Sequence, residues 1–181
     1  MKKILLSAII ATTGMAALAP TAYAEDGQIN FTGKIVGTTC TINGDAAPST
    51  QAVTLPSVSQ SSLSVAGSSA GRTPFSIVLS NCAPDTGSVH ALFELGQTVN
   101  TETGRLIVDA SDDSAKNVEI GLLNSKLSHI AAGAADGSQN TDEVSIAGGK
   151  ATMNFFAQYE SLGDATGGTA NSRVQYTLMY Q

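Results

Sequence analysis

The sequence has 181 residues, 42% of them hydrophobic and 13% charged, so we expect one globular domain and exclude a highly charged disordered tail. Fifteen acidic against nine basic residues give a formal net charge of −6, which argues against a protein that binds the phosphate backbone of nucleic acids. Two histidines and two cysteines leave few transition-metal ligands, and we expect neither a metal nor a cofactor.

The first 24 residues have the pattern of a secretory signal peptide. Two lysines precede an apolar run over residues 4–18, which is shorter than the roughly 20 residues that cross a bilayer as a helix. Ala22 and Ala24 have the small–x–small spacing of a cleavage site. We predict that residues 1–24 are removed and that the exported chain begins at Glu25 without a membrane span. A permanent N-terminal anchor is the alternative.

Residues 25–36 alternate with the period of an extended strand. One face carries Gly27, Ile29, Phe31, Gly33 and Ile35. A strand with large apolar side chains at every second position needs a partner for that face, and a glycine in a strand often marks close backbone approach. From the periodicity alone, this segment is either the first strand of the domain's own sheet or an arm that is buried elsewhere.

Cys40 and Cys82 are the only cysteines. Export to an oxidising compartment favours a disulfide between them. Closing a loop of this size would stabilise the fold by about 4 kcal/mol in the chain-entropy model. Two free, buried thiols are the alternative.

A two-residue alternation dominates the rest of the chain and predicts strands. The predicted apolar faces are Phe75, Ile77 and Leu79; Val89, Ala91, Phe93 and Leu95; Val118, Ile120 and Leu122; Ala151, Met153, Phe155, Ala157 and Tyr159; and Val174, Tyr176, Leu178 and Tyr180. Clusters of Gly, Asp and Asn between them are typical of turns. The stretch from Ser57 to Gly71 is compatible with a short helix or an open loop. About seven short strands and one disulfide predict an all-β, Ig-like β-sandwich.

These features together resemble the pilin subunits of chaperone–usher fimbriae, most of all the major, shaft-forming subunits of type 1 and related fimbriae. The resemblance covers the whole chain after residue 24. It rests on the alternating arm, the cysteine pair, the strand that starts at Pro74, and the ending from Gly168 to Gln181.

The resemblance implies an incomplete Ig-like sandwich that is completed in trans by a donor strand, a known example of strand addition. Residues 25–36 would be the donor arm, with Gly27, Ile29, Phe31, Gly33 and Ile35 on its inserted face, and residues 37–181 the pilin domain. The groove and the strand that pairs with the chaperone would comprise Gly168, Val174, Tyr176, Leu178 and Tyr180.

The function that the resemblance implies is a structural subunit of an adhesive surface fimbria. A periplasmic chaperone would deliver it to an outer-membrane usher, where it would join identical subunits head to tail, with tip or adaptor subunits as further partners. The alternative is a minor, adaptor or short adhesive subunit of the same pilus system.

Two patterns suggest other chemistry. Residues 67–71 match the G-x-S-x-G nucleophile motif around Ser69, with Asp109 and His129 following in the chain order of an esterase. That motif requires the strand–turn–helix of an α/β sheet, which the alternation does not predict, so we expect no catalytic residues and no enzyme. Asp109, Asp112 and Asp113 lack the ligand spacing of a calcium loop, and we interpret them as a solvated acidic loop.

Two further features of the sequence are a histidine and a formal glycosylation sequon. His90 alternates away from an apolar face, which predicts a surface side chain. The stretch Asn30-Phe31-Thr32 is a formal glycosylation sequon, which we do not expect a bacterial arm to use.

Overall fold

The computed structural model describes residues 28–33, 35, 37, 39–45 and 47–181. The predicted signal peptide and Gly27 of the predicted arm lie outside the described residues. The chain separates into two units, Met1–Lys34 and Ile35–Gln181.

The described part of the chain contains nine strands and one short 3₁₀-helix, which confirms the all-β prediction. The strands are β1 (Thr39–Ile42), β2 (Ser69–Ala83), β3 (Thr86–Phe93), β4 (Leu106–Ile107), β5 (Val118–Leu123), β6 (His129–Ile130), β7 (Val144–Ala147), β8 (Ala151–Ser161) and β9 (Tyr176–Tyr180). The 3₁₀-helix, Gln60–Leu63, lies within the predicted helix-or-loop stretch. Among the described helical residues, no helix has the length and apolar character needed to cross a membrane.

The strands form two antiparallel sheets. The larger has the order β1–β2–β8–β5–β4, with β6 also paired to β5, and the smaller has the order β7–β3–β9. The sheets bury most of the apolar faces that the alternation predicts, because a period of two places every second side chain on the same face, whereas the face of Val174, Tyr176, Leu178 and Tyr180 is partly exposed. The architecture is the predicted Ig-like sandwich.

Aromatic rings connect the two sheets through the core. Phe155 of β8 lies with its ring centroid 5.4 Å from that of Phe93 of β3 in an edge-on contact, and 5.4 Å from that of Phe75 in a stacked contact. The buried residues around them are Ile77, Leu79, Val89, Ala91, Ile120, Leu122, Ile130, Ile146 and Met153. Leu95 departs from the prediction and is 59% exposed, because β3 ends at Phe93.

The predicted disulfide is present and ties β1 to β2. Cys40 and Cys82 are bonded, and the ladder between the two strands has an irregularity between Thr39 and Thr41. Cys82 lies one residue before the end of β2, and only three residues separate it from β3. The bond therefore connects the start of the first strand directly to the entry of the smaller sheet.

The chain between β1 and β2 packs on the core without forming a strand. Leu55 contacts the main core, whereas Val58 packs against a second cluster formed by Leu63, Val118 and Ala165. Near its end the segment is tied to β8: the hydroxyl of Ser161 donates to the carbonyl oxygen of Leu63 at 2.6 Å, and Ser161 also exchanges backbone hydrogen bonds with residues 67–68. The core is thus covered by side-chain contacts over most of the segment and by these hydrogen bonds at its end.

The outer face of the larger sheet carries two carboxylates that alternation places in solvent. Glu119 and Glu160 are opposite each other on β5 and β8 and are 3% and 9% exposed. The loop before β4 covers them: Arg105 Nε lies 2.9 Å from Glu160 Oε2, and Asn100 Nδ2 donates to Glu119 Oε1 at 2.6 Å. Buried carboxylates are tolerated when cations and donors surround them in this way.

Candidate functional site

The last strand forms one edge of the smaller sheet. In the part of the chain that the structure describes, β9 pairs with β3 alone, in a register that places Tyr176 opposite Phe93 and Tyr180 opposite Val89. Ser88 and Gln181 continue this ladder by exchanging two backbone hydrogen bonds of 3.2 and 3.0 Å. The long side of β9 away from β3 is an exposed strand edge.

The backbone of β9 presents a row of hydrogen-bonding groups along that edge. Residue pairs in an antiparallel ladder alternate between hydrogen-bonded and non-hydrogen-bonded positions. Because Ser88 and Gln181 form a bonded pair, the backbone groups of Tyr176, Leu178 and Tyr180 point away from β3. We call these outward N–H and C=O groups the open edge. Such a row is a template on which another strand can pair.

The side chains of the same residues line an apolar surface. Val174, Tyr176, Leu178 and Tyr180 pack against the main core but remain partly exposed. Burial raises the pKa of the Tyr176 and Tyr180 phenols, so both groups stay uncharged to a higher pH than an exposed tyrosine. The hydroxyl of Tyr176 is buried and has no hydrogen-bond partner among the described residues. The geometry suits an occupant that adds a strand and covers this row of side chains.

Gly168 occupies a different place from the strand residues with which the sequence grouped it. It lies before β9, where residues 168–169 pass against residues 113–115 and Ser114 forms a parallel bridge with Thr169. A Cβ at this position would lie 2.5 Å from the backbone nitrogen of Ala115, which only glycine avoids. Gly168 therefore fixes the path of the chain that leads into β9, and Val174 lies two residues before the strand begins.

The described residues of the predicted arm belong to neither sheet. Residues 28–33 have no assigned ladder, and the side chains of Ile29, Phe31 and Ile35 are 79%, 90% and 102% exposed. Such a row of exposed large apolar side chains is unusual on a folded chain and indicates a surface that a partner covers. One chain thus carries a row of exposed apolar side chains and an exposed strand edge.

A loop is fastened to β3, the strand that carries β9. The side-chain amide of Gln139 accepts from the Phe93 N–H at 2.8 Å and donates to the Phe93 carbonyl oxygen at 2.7 Å. His90 Nε2 donates to Asp136 Oδ1 at 2.7 Å. His90 is only 8% exposed, so the surface position predicted for it is wrong. The loop over residues 131–139 covers that side of β3, which alternation alone could not reveal.

This loop gives a pH-dependent prediction. The hydrogen bond from His90 lowers the pKa of the Asp136 carboxyl below its usual 3.8, an effect that desolvation opposes. A carboxyl whose pKa is lower in the folded state stabilises the fold above its unfolded value, and this stability is lost as the pH falls through the folded value. We expect Asp136→Asn to lower the melting temperature near neutral pH, with the difference closing below about pH 3.8.

Thermal unfolding across a pH series measures this difference. Because His90 is the largest cause of the shift, the effect of Asp136→Asn should shrink in a His90→Gln background. A difference between wild type and Asp136→Asn that stays constant from neutral to acidic pH would contradict the assignment.

The residues of the esterase pattern have other places and partners. Ser69 begins the antiparallel strand β2. Arg173 donates to both carboxylate oxygens of Asp109, at 2.8 and 2.9 Å, and His129 Nε2 lies 2.9 Å from the Thr103 carbonyl oxygen. Within the described ranges, no three His, Cys, Asp or Glu side chains are grouped so that they could hold a metal ion.

Comparison with known proteins gives a consistent set of relatives. The family model "Type-1 fimbrial protein, A" matches residues 55–181. The chain is 43% identical to the major fimbrial subunit SMF-1 of Stenotrophomonas maltophilia, over 92% of this chain and 99% of that protein. It is 39% identical to the F17 fimbrial protein of Escherichia coli, over 92% of this chain and 93% of that protein.

Solved structures share the fold. A subunit of a chaperone–usher pilus superposes with a TM-score of 0.60 at 22% identity, over 90% of this chain and all of that one. The P pilus rod subunit PapA superposes with a TM-score of 0.57 at 20% identity, over 78% of this chain and 99% of that one. A type I fimbria protein of Burkholderia pseudomallei gives a TM-score of 0.53 at 27% identity, over 79% of this chain and 95% of that one.

Proposed function

Because this chain belongs to the type-1 fimbrial protein family, we propose that it polymerises by strand addition, with the arm of one subunit on the open edge of the next. Members of this family are structural subunits of surface fimbriae. The observation that supports the mechanism is the open edge of β9, flanked by the partly exposed side chains of Val174, Tyr176, Leu178 and Tyr180. The donor would be residues 25–36, whose large apolar side chains are exposed.

The spacing of side chains favours one antiparallel register of donor and acceptor. Donor side chains that face the core must lie opposite β9 side chains that also face the core, because a one-residue slip reverses every face. Placing Gly33 opposite Tyr176 sets Ile35 against Val174, Phe31 against Leu178, and Ile29 against Tyr180. A shift of two residues in either direction moves Ile35 or Ile29 beyond the ends of this row.

Size and hydrogen bonding support the same register. Gly33 has no side chain, so a donor backbone can approach the ring of Tyr176, whose buried hydroxyl has no hydrogen-bond partner in the described part of the chain. A parallel donor would also keep the three large side chains on the row, but it would place Phe31 against Tyr176. Antiparallel pairs are somewhat more stable per residue, and we infer that orientation.

Cysteine cross-linking tests both the mechanism and the orientation. Asn30 and Met179 would be directly opposite in the antiparallel register, at a non-hydrogen-bonded position where Cα atoms lie about 4.5 Å apart, within reach of a disulfide. We expect fimbriae of an Asn30→Cys, Met179→Cys chain to give ladders of cross-linked subunits on non-reducing gels. The matched control, Asn30→Cys with Gln175→Cys, should not cross-link.

Two different outcomes would contradict the proposal. Ladders from the control pair alone would mean a parallel donor, and no ladder from either pair would mean that the arm does not occupy the open edge.

The open edge also suggests the transient partners. An exposed apolar strand edge promotes aggregation, so it needs a cover in every state before the polymer forms. We propose that a periplasmic chaperone pairs with β9 and that an outer-membrane usher exchanges it for the arm of the next subunit. Because the contact joins two different surfaces, it does not close on itself and propagates as a filament. Tip or adaptor subunits would end the same chain of contacts.

A further inference from the structure

Resting on this proposed function, we infer that the Cys40–Cys82 disulfide carries tension through the subunit and shields the segment between β1 and β2 from it. A fimbria under load pulls each subunit at two places: the base of its arm and the open edge of β9. The path that force takes between these places follows from the covalent and ladder connections of the fold.

Force from the arm enters the domain at β1. The arm joins β1 at Thr39, one residue before the disulfide. From Cys40 two connections lead onward: the short β1–β2 ladder and the sulfur–sulfur bond to Cys82. The ladder contains three residue pairs and an irregularity, so the covalent bond is the stiffer connection and carries the load.

From Cys82 the shortest route to β9 runs through β3. Three residues, 83–85, lead into β3, and this turn is held by two backbone bonds of 3.0 Å, from Cys82 N–H to the Gly149 carbonyl and from Gly149 N–H to the Asp85 carbonyl. β3 then pairs with β9 from Val89 to Phe93. Among the described residues, the β3–β9 ladder is therefore the one non-covalent connection on this path, and of the larger sheet the path includes only the ends of β1 and β2.

The disulfide also places a vulnerable segment outside the path. Residues 43–68 form most of the loop that it closes, and they cover the core through Leu55, Val58 and Leu63. Without the bond, force at Cys40 would strip β1 from β2 and draw this segment off the core, breaking the backbone bonds of residues 63–68 to residues 161–165, until it reached β2 at Ser69. The freed chain from Cys40 to Ser68, about 29 residues, has an extended length of roughly 100 Å.

Stretching single assembled fimbriae before and after reduction tests this inference. Reduction in the flow cell acts on subunits that are already folded and assembled, so a folding defect of a cysteine variant does not interfere. Traces are scored only from fimbriae in which alkylation shows both thiols to be free. We expect reduced fimbriae to lengthen by roughly 100 Å per subunit at forces that leave oxidised fimbriae unchanged.

Thr41→Ala provides the matched control. It removes the bonds between the Thr41 hydroxyl and Ser80, of 2.6 and 3.0 Å, and so weakens the ladder without touching the disulfide. Oxidised Thr41→Ala fimbriae should stretch like wild type, whereas reduced ones should release the segment at lower force. Equal traces from oxidised and reduced fimbriae, or release of this length while the bond is intact, would overturn the inference. Failure of the chain to form cross-linked fimbriae would instead contradict strand addition itself.

Discussion

Replacing Phe31 with Asp should prevent subunits from joining while the domain of residues 37–181 stays folded. Phe31 is 90% exposed and lies outside both sheets, so the domain's own core does not depend on it. In the proposed polymer its ring covers Leu178 of the next subunit, and a carboxylate there would be buried without a partner.

The expected loss of affinity is large. Burying a phenylalanine contributes about 1.5–3 kcal/mol, and an unpaired polar group in its place costs about 1–3 kcal/mol more. Since 1.4 kcal/mol is a factor of ten in affinity, binding should weaken by at least about 60-fold. The measurements are the amount of fimbrial polymer on the cell surface and the circular dichroism and melting temperature of the released subunit.

Thr32→Asp is the control for added charge on the arm. It places the same carboxylate one residue further along, on the face that points away from the core in the proposed register. Thr32→Asp should polymerise nearly as well as wild type. If Phe31→Asp unfolded the subunit, the arm would be part of the domain's own core and the proposed mechanism would be wrong. If both variants assembled normally, the arm would not be the donor.

Alternation predicts the strands well because both sheets bury one face against the other. Phe93 and Phe155 fall on the predicted inner faces, and the contact between them joins the sheets. The same periodicity cannot tell which strand lies at an edge, because a strand with one neighbour and a strand with two show the same apolar period. The open edge of β9 is a property of sheet order, and sheet order depends on pairings far apart in the chain.

Alternation does not reveal where a loop covers the outside of a sheet. Glu119 and Glu160 alternate as solvent-facing residues, yet the loop that carries Arg105 covers them. His90 is covered in the same way by the loop that carries Asp136. In each case a polar residue on the outer face finds its partner on a segment more than a dozen residues away, which no local pattern encodes.

Gly33 and Gly168 have different structural surroundings. Gly33 is on the exposed arm, where no described atom lies within 4 Å of a Cβ built on it. A need for glycine at this position would therefore come from a second chain that approaches it. A Cβ at Gly168 would clash with the backbone of residues 113–115, so glycine is required there within one subunit. The family resemblance grouped Gly168 with the residues of β9, but Gly168 lies in the segment that leads the chain into that strand.

A peptide of residues 25–36 should raise the melting temperature of the Phe31→Asp chain. That variant keeps an open edge, but its own arm is not expected to bind the open edge of a neighbouring subunit. Added peptide therefore meets no competing donor. A ligand that binds only the folded state stabilises by about 4 kcal/mol at 1,000 times its dissociation constant, and for a domain of this size each kcal/mol raises the melting temperature by about 2–4 °C. We expect a rise of about 8–16 °C at that excess.

Two further peptides determine what such a rise means. The Phe31→Asp peptide should give no shift, because its carboxylate would be buried against Leu178, and the Thr32→Asp peptide should act like wild type, because its carboxylate would face solvent. Equal shifts from all three would indicate a charge or aggregation effect unrelated to the row of β9 side chains. No shift from the wild-type peptide would mean that the edge of β9 does not accept the arm, because the backbone groups of Tyr176, Leu178 and Tyr180 would then remain unpaired even with the donor in excess.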